Sequence, residues 1–300
     1  MRIIVTGSKG AIGQYLVPYL RLQQNHVIGC DIVPDYNDGY VLSDVTKPQE
    51  LEKIFHELNP DVVIHLAALY GRLANERYAN IAVDTNVTGT NNMIQLCKRY
   101  KSKLIFFSTS EVYGNQTGLL NEIDTPLQPN NRYGIVKKMC EDLIRYEVVE
   151  HNLDAVILRL NMVYSSGETF GEFRSALIRF CEALLKKEKI TVYKDTKRSW
   201  IHIDDAVQIV WAACKFTTFE TMNIGSPRIV ETINIANILC EQLGLNPNDY
   251  IRITEMPHRM TKEKHLDVSK QIAMTGITPK IPIETGALMV LESCKQRLGL

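Results

Sequence analysis

The first 160 residues alternate short β-branched runs with stretches whose apolar positions recur every three or four residues, the pattern of repeated βαβ units. The runs predict strands over 2–6, 26–30, 61–65, 103–107 and 155–160, and the helical periodicity predicts helices over 12–22, 48–58, 86–100 and 133–150. Right-handed crossovers between such strands give an α/β fold built on a doubly wound parallel sheet. Beyond Leu160 the pattern changes. Ser165, Ser166, Gly167 and Gly171 read as a loop before a helix over 172–187, and Asp204 with Asp205 caps and opens a helix that runs to Cys214. The expected organisation is a doubly wound domain over 1–160, with 204–226 returning to it, and a smaller C-terminal lobe from 161–203 and 227–300.

Charge and cysteine usage narrow the partners. The 34 basic side chains match the 34 acidic ones, so no net field is available to gather nucleic acid or an anionic membrane, and an anionic ligand must be caught locally. A strand at 2–6 leaves no room for a signal peptide, and no apolar run approaches the roughly 20 residues a bilayer crossing requires. Seven cysteines without a Cys-x-x-Cys pair are expected as buried free thiols in a reducing cytoplasm, with no metal site.

The candidate chemistry begins in Ile3-Ile4-Val5-Thr6-Gly7-Ser8-Lys9-Gly10-Ala11-Ile12-Gly13. Gly7, Gly10 and Gly13 lie between a strand and an apolar helix, where backbone amides of the turn, Ala11 and Ile12 included, can approach a pyrophosphate. Asp31 ends the second strand, where a carboxylate accepts from ribose hydroxyls and repels a 2′-phosphate, favouring NAD over NADP. In Ser43-Asp44-Val45, Asp44 either reaches the adenine or caps the helix that follows. Tyr133 and Lys137 form a Tyr-x-x-x-Lys pair one turn apart on a helix. Bringing a phenol from pKa near 10 to near 7 requires about 4 kcal/mol of preferential phenolate stabilisation, which nearby cations can supply. Thr109, at the carboxyl end of the strand that carries Phe106-Phe107-Ser108, either shares a proton with Tyr133 and a substrate hydroxyl or caps its own backbone.

Taken in order, these motifs are similar to those of the extended short-chain dehydrogenases/reductases of the NAD-dependent epimerase/dehydratase family. The resemblance spans nearly the whole chain. It rests on Thr6-Gly7 through Gly13, His65-Leu66-Ala67-Ala68, Asn86, Ser108-Thr109-Ser110-Glu111-Val112-Tyr113-Gly114 and Tyr133 through Lys137, and continues through Arg159-Leu160-Asn161-Met162-Val163-Tyr164 and Arg198-Ser199-Trp200-Ile201-His202-Ile203-Asp204-Asp205. It implies that Tyr133 is the base, that Lys137 orients the nicotinamide ribose and lowers the tyrosine pKa, and that Thr109 fills the family's Ser/Thr position. NAD is then held by the glycine turn, Asp31, Asp44, Val45, Leu66, Ala67, Ala68, Asn86, Ser108 and Leu160, together with Tyr133 and Lys137. A nucleoside-diphosphate sugar is held by Tyr70, Thr109, Asn161, Arg198 and Arg259. The resemblance also implies a homodimer through the helices over 86–100 and 133–150. The chain departs from the family at Tyr164-Ser165-Ser166, where relatives read Tyr-Gly-Pro, and at Met256-Pro257-His258-Arg259, where they read Arg-Pro-Gly.

The implied first step is oxidation of the sugar C4 to a ketone. Return of hydride to the other face makes a 4-epimerase, the reading with fewest further requirements; a uronic acid substrate makes a decarboxylase. Relatives that eliminate water present Asp-Glu where this chain has Ser110-Glu111, and a serine hydroxyl cannot protonate the leaving group near neutral pH. Dehydration is therefore disfavoured. Glu111 is a further candidate catalytic residue, or in an epimerase a structural one. A 4-keto-sugar reductase and a non-catalytic dinucleotide sensor are the remaining alternatives.

Overall fold

The computed structural model describes every residue except Glu172, His258 and Arg259. A seven-stranded sheet runs in the order Glu220–Ile224, Ala155–Leu160, Lys103–Thr109, Val62–His65, Arg2–Thr6, His26–Asp31 and Tyr40–Leu42. Pairing is parallel from Ala155–Leu160 through to Tyr40–Leu42. Lys103–Thr109 and Ala155–Leu160 are buried along their whole length, which is why both read as nearly unbroken apolar runs. The Tyr40–Leu42 strand is a different case. It is three residues long and none of its residues is fully buried, so no apolar run announces it.

Helix Pro48–Leu58 shows how periodicity becomes burial. Leu51, Ile54, Phe55 and Leu58 face inward, Pro48 starts the first turn, and Asn59 stops the helix in the left-handed region at φ 46°. The helix expected from residue 86 starts earlier. Ala79–Val83 leads through a π-helical turn, Asp84–Thr88, into Gly89–Tyr100. Ile81 and Val83 are exposed, so this added turn lacks the inward stripe that marks the rest.

Two compact units emerge. The first comprises residues 1–114, 127–160 and 207–222, and the second comprises 115–126, 161–206 and 223–300. Each has its own apolar core. In the second, Lys197–His202 is flanked by Ile229–Glu231 and Glu263–Leu266 and also pairs with Met162–Tyr164. Residues 115–126 cluster with this unit because Leu119–Leu120 pairs with Glu263–Leu266, and Asn223 Nδ2 donates to the Leu120 carbonyl at 2.9 Å. The helix expected over 172–187 is observed as Ala176–Leu185, with the Ser175 hydroxyl accepting from the Ile178 amide. All seven cysteines are buried free thiols. Among the described residues, no helix is long and apolar enough to cross a membrane.

Candidate active site

The glycine turn leaves the Arg2–Thr6 strand and enters helix Gly13–Leu22. Gly7 has φ +69°, and a Cβ there would lie 2.6 Å from the Ala67 amide nitrogen; a Cβ on Gly13 would lie 2.4 Å from the Gly7 carbonyl oxygen. These two glycines are thus required by the chain's own backbone, before any ligand is considered. Gly10 differs. A side chain there would meet only the Gly7 carbonyl oxygen, at 3.2 Å, and the residue is exposed along with Ala11. Among the described residues, the amides of Ala11 and Ile12 donate to no backbone acceptor, so the turn presents the N–H groups a pyrophosphate needs. Gly13→Ala is expected to cost at least about 2 kcal/mol in urea unfolding, since neither the Gly7 carbonyl nor the Ser8 backbone can move away as a side chain would.

Asp31 sits at the end of its strand with its carboxylate accepting from the Lys9 amide at 2.9 Å and the Val33 amide at 3.1 Å. Asp44 accepts from both the amide and the hydroxyl of Thr46, at 2.9 and 2.8 Å. It closes the turn ahead of helix Pro48–Leu58 and does not cap it, because the cap position falls to Lys47. Val45 is buried against Gly89, and its carbonyl accepts from Asn92 Nδ2 at 2.9 Å.

A buried polar chain supports the next strand end. The Thr6 hydroxyl meets His65 Nδ1 at 2.7 Å, His65 Nε2 meets the Thr90 hydroxyl at 3.2 Å, and Thr90 donates to the Asn86 carbonyl at 2.6 Å. Burial and the nearby Lys137 ammonium push the His65 pKa down to about 3, so the ring stays neutral. The Leu66 and Ala67 amides are tied to Thr6, and Ala68 follows them into the segment that Asn86 holds. Asn86, expected at the cofactor, has its side-chain amide committed elsewhere: Oδ1 accepts from the Leu69 amide at 2.8 Å, and Nδ2 donates to the Leu69 carbonyl and to Asn75 Oδ1. Its direct effect is to shape the loop carrying Tyr70.

Strand Lys103–Thr109 delivers three candidates. The Ser108 hydroxyl, also expected at the cofactor, donates instead to Glu141 at 2.5 Å, leaving its backbone as the part open to that role. Thr109 is buried, and its hydroxyl accepts from the Glu111 amide at 3.3 Å, capping the turn Ser110–Tyr113. Glu111 accepts from Asn131 Nδ2 at 2.7 Å, while Asn131 Oδ1 caps helix Arg132–His151 by accepting from the Gly134 amide at 3.0 Å. Glu111 and Asn131 therefore position the helix that bears Tyr133.

On that helix, Lys137 is buried and donates to the Phe107 carbonyl at 2.8 Å, its ammonium 4.8 Å from the Phe106 ring centre. Burial pushes its pKa down to about 8, against the opposing pull of Cys140 and Glu141. Tyr133 is partly exposed, and its phenol is held above the ordinary value by burial first, then by Tyr70 and Glu111. The expectation that Lys137 acidifies Tyr133 is thus not met by the chain alone, because burial, Tyr70, Glu111 and Cys140 all act to raise the phenol. Tyr70 is 44% exposed and is one of the groups that hold the Tyr133 phenol above its ordinary value.

One group is missing from the sequence reading. Glu141 and Arg159 form a fully buried bidentate pair, Nε to Oε1 at 3.0 Å and Nη2 to Oε2 at 2.7 Å, and Arg159 also donates to the Tyr113 hydroxyl at 2.9 Å. Burial alone would raise the Glu141 carboxyl; Arg159, Ser108 and Arg145 overcome it and hold the group below the ordinary range. Leu160, next in the strand, is buried. The signal was legible as a lone charge inside an otherwise apolar strand, which has to be paired.

In the second unit, Asn161 is buried and donates from Nδ2 to the Lys264 carbonyl at 3.1 Å. Arg198 donates to the carbonyls of Lys197, Lys262 and Thr261, and so ties residues 261–262 to its strand. Lys264 is buried opposite Arg198 in the register. Arg259 lies outside the described residues.

A doubly wound sheet with a glycine turn at one strand end and a Tyr-x-x-x-Lys helix anchored to another defines the class: a dinucleotide-type α/β protein equipped for acid–base chemistry. The chain belongs to the NAD dependent epimerase/dehydratase family, whose model matches residues 3–225. It is 28% identical to a UDP-glucuronate 4-epimerase of Thermodesulfobacterium geofontis, over 99% of this chain and 97% of that one. It is also 26% identical to UDP-glucuronic acid decarboxylase 6 of Arabidopsis thaliana, over 100% and 90%. Among solved structures, it is similar to the UDP-glucuronic acid 4-epimerase of Bacillus cereus in complex with UDP-glucuronic acid and NAD, with a TM-score of 0.89, 25% identity and coverage of 99% and 100%.

Proposed function

We propose that the protein is an NAD-dependent 4-epimerase of a nucleoside-diphosphate sugar, with UDP-glucuronic acid the first substrate to test. The observation that carries this reading is the Tyr133–Lys137 helix, fixed at its start by Asn131 and Glu111 and along its length by the buried Lys137 ammonium on the Phe107 carbonyl. The family membership and the likeness to epimerases support it.

The turn amides of Ala11 and Ile12 bind the pyrophosphate, Asp31 takes the adenosine ribose, and Lys137 reaches the nicotinamide ribose. NAD, when bound, would supply a hydride acceptor for the sugar C4 and a positive charge that favours the phenolate. Tyr133 takes the C4 hydroxyl proton, relayed through Thr109, and returns it to the same oxygen after the keto sugar has turned. Burial, with Tyr70 and Glu111, holds the Tyr133 phenol above its ordinary value, so its action as a base requires a cation to favour the phenolate. Asn161 and Arg198 are assigned to the diphosphate, and Tyr70 to the sugar.

The test is direct. Incubated with UDP-glucuronic acid and with UDP-glucose, the protein should convert at least one to its C4 epimer by proton NMR, without releasing carbon dioxide. Carbon dioxide with a pentose product would favour the decarboxylase reading, which the likeness to UDP-glucuronic acid decarboxylase 6 supports. No change in either sugar under saturating NAD would count against both.

The protein is further proposed to work in the cytoplasm as a homodimer. On the helices expected at the interface, Met93, Ile94, Val136 and Ile144 lie in the unit's own core, whereas Ile135, Met139, Tyr146 and Val149 form an exposed apolar stripe on helix Arg132–His151. Light scattering should give twice the chain mass, and a monomer at micromolar concentration would contradict this.

A further inference from the structure

The glycine turn carries a charge the cofactor reading does not use. The side chain of Lys9 folds back from the turn to form an ion pair with Asp35 and lies over the Tyr40 ring, 5.7 Å from its centre. The Lys9 amide meanwhile donates to Asp31, so one residue links the two carboxylates. The surroundings are built. Asp35 presents its second oxygen to Asn37, accepting from the side-chain amide at 2.7 Å, and the Tyr40 hydroxyl donates to the carbonyls of Asp31 and Val33. Asp35 is only 16% exposed, and Lys9 together with Asn37 pulls its pKa down to about 2, so it is ionised throughout the useful pH range.

The Lys9 ammonium neutralises Asp35, and Asp31, whose carboxylate accepts from backbone amides, remains as the single net negative charge beside the expected position of the adenosine ribose. A free lysine there would attract a 2′-phosphate, and a neutralised one does not. We infer that Asp35 sets the preference of this protein for NAD over NADP by holding the Lys9 ammonium away from the ribose, and that Asp31 acts together with this pair. Asp35 is thus a specificity residue acting through Lys9. This inference rests on the cofactor reading above.

Purified wild-type protein, Asp35→Asn and Lys9→Gln/Asp35→Asn are dialysed to equilibrium against equimolar NAD and NADP, and the bound nucleotide is measured by mass spectrometry. Wild type should hold NAD. Asp35→Asn should raise the bound NADP-to-NAD ratio by at least about tenfold, as removal of one nearby charge requires. The double variant should lose that gain. The same shift with Lys9 absent, or no shift in Asp35→Asn while NAD still binds, would overturn the role given to the pair. If neither nucleotide binds wild type, the cofactor reading itself fails and takes this inference with it.

Discussion

Tyr133→Phe is expected to lower turnover of the true substrate by about 10³-fold, within the range that loss of a general base produces. The substitution removes one oxygen and leaves the helix, its Asn131 cap and the Lys137 anchor in place. Bound nucleotide should be retained and the thermal midpoint little changed. That combination separates loss of a proton acceptor from loss of the fold. Lys137 provides the contrast, since it is buried and tied to the Phe107 carbonyl: Lys137→Met should disturb nucleotide binding as well as turnover. Turnover of Tyr133→Phe within a few fold of wild type would reject the assigned base.

The largest effect on stability should come from Glu141→Ala. Its carboxylate sits between Ser108, Arg145 and Arg159, and without it the Arg159 guanidinium is left buried with, among the described residues, only the Tyr113 hydroxyl as a side-chain acceptor. Breaking a buried pair from one side costs about 3–5 kcal/mol, which corresponds to a fall in thermal midpoint on the order of 10 °C. Removing both charges, as in Glu141→Met/Arg159→Met, should recover much of the loss. The pH dependence follows from the direction of the shift. A carboxyl held below its unfolded pKa contributes stability that is complete above the ordinary carboxylate range and is lost as pH falls through its folded value. The wild type should therefore lose stability in acid more steeply than the double variant.

The main sheet was legible because its central strands carry short apolar runs, 104–107 and 155–158, and helices such as Pro48–Leu58 carry clean inward stripes. Tyr40–Leu42 escaped notice, being a short edge strand without fully buried residues, and Leu119–Leu120 is shorter still, joined to the second unit by a pairing no local pattern encodes. Spacing located Tyr133 and Lys137 but did not reveal which polar groups serve as scaffold. Asn86 and Ser108 were read as cofactor contacts because they occur in motifs; the fold uses their side chains to hold a loop and a buried carboxylate. Whether a side chain faces a ligand or a neighbour depends on partners far along the chain, such as Glu141 for Ser108. The charge within Ala155–Leu160 was visible, but its partner sits 18 residues away on a helix.

In the proposed reaction, hydrogen leaves and returns to one carbon of the sugar. UDP-glucuronic acid deuterated at C4 should yield the C4 epimer with its deuterium retained at C4, and with no deuterium lost to water. Epimer that carries solvent hydrogen at C4, or inversion without any isotope effect on a slowed chemical step, would contradict oxidation at that carbon and remove the role assigned to Tyr133.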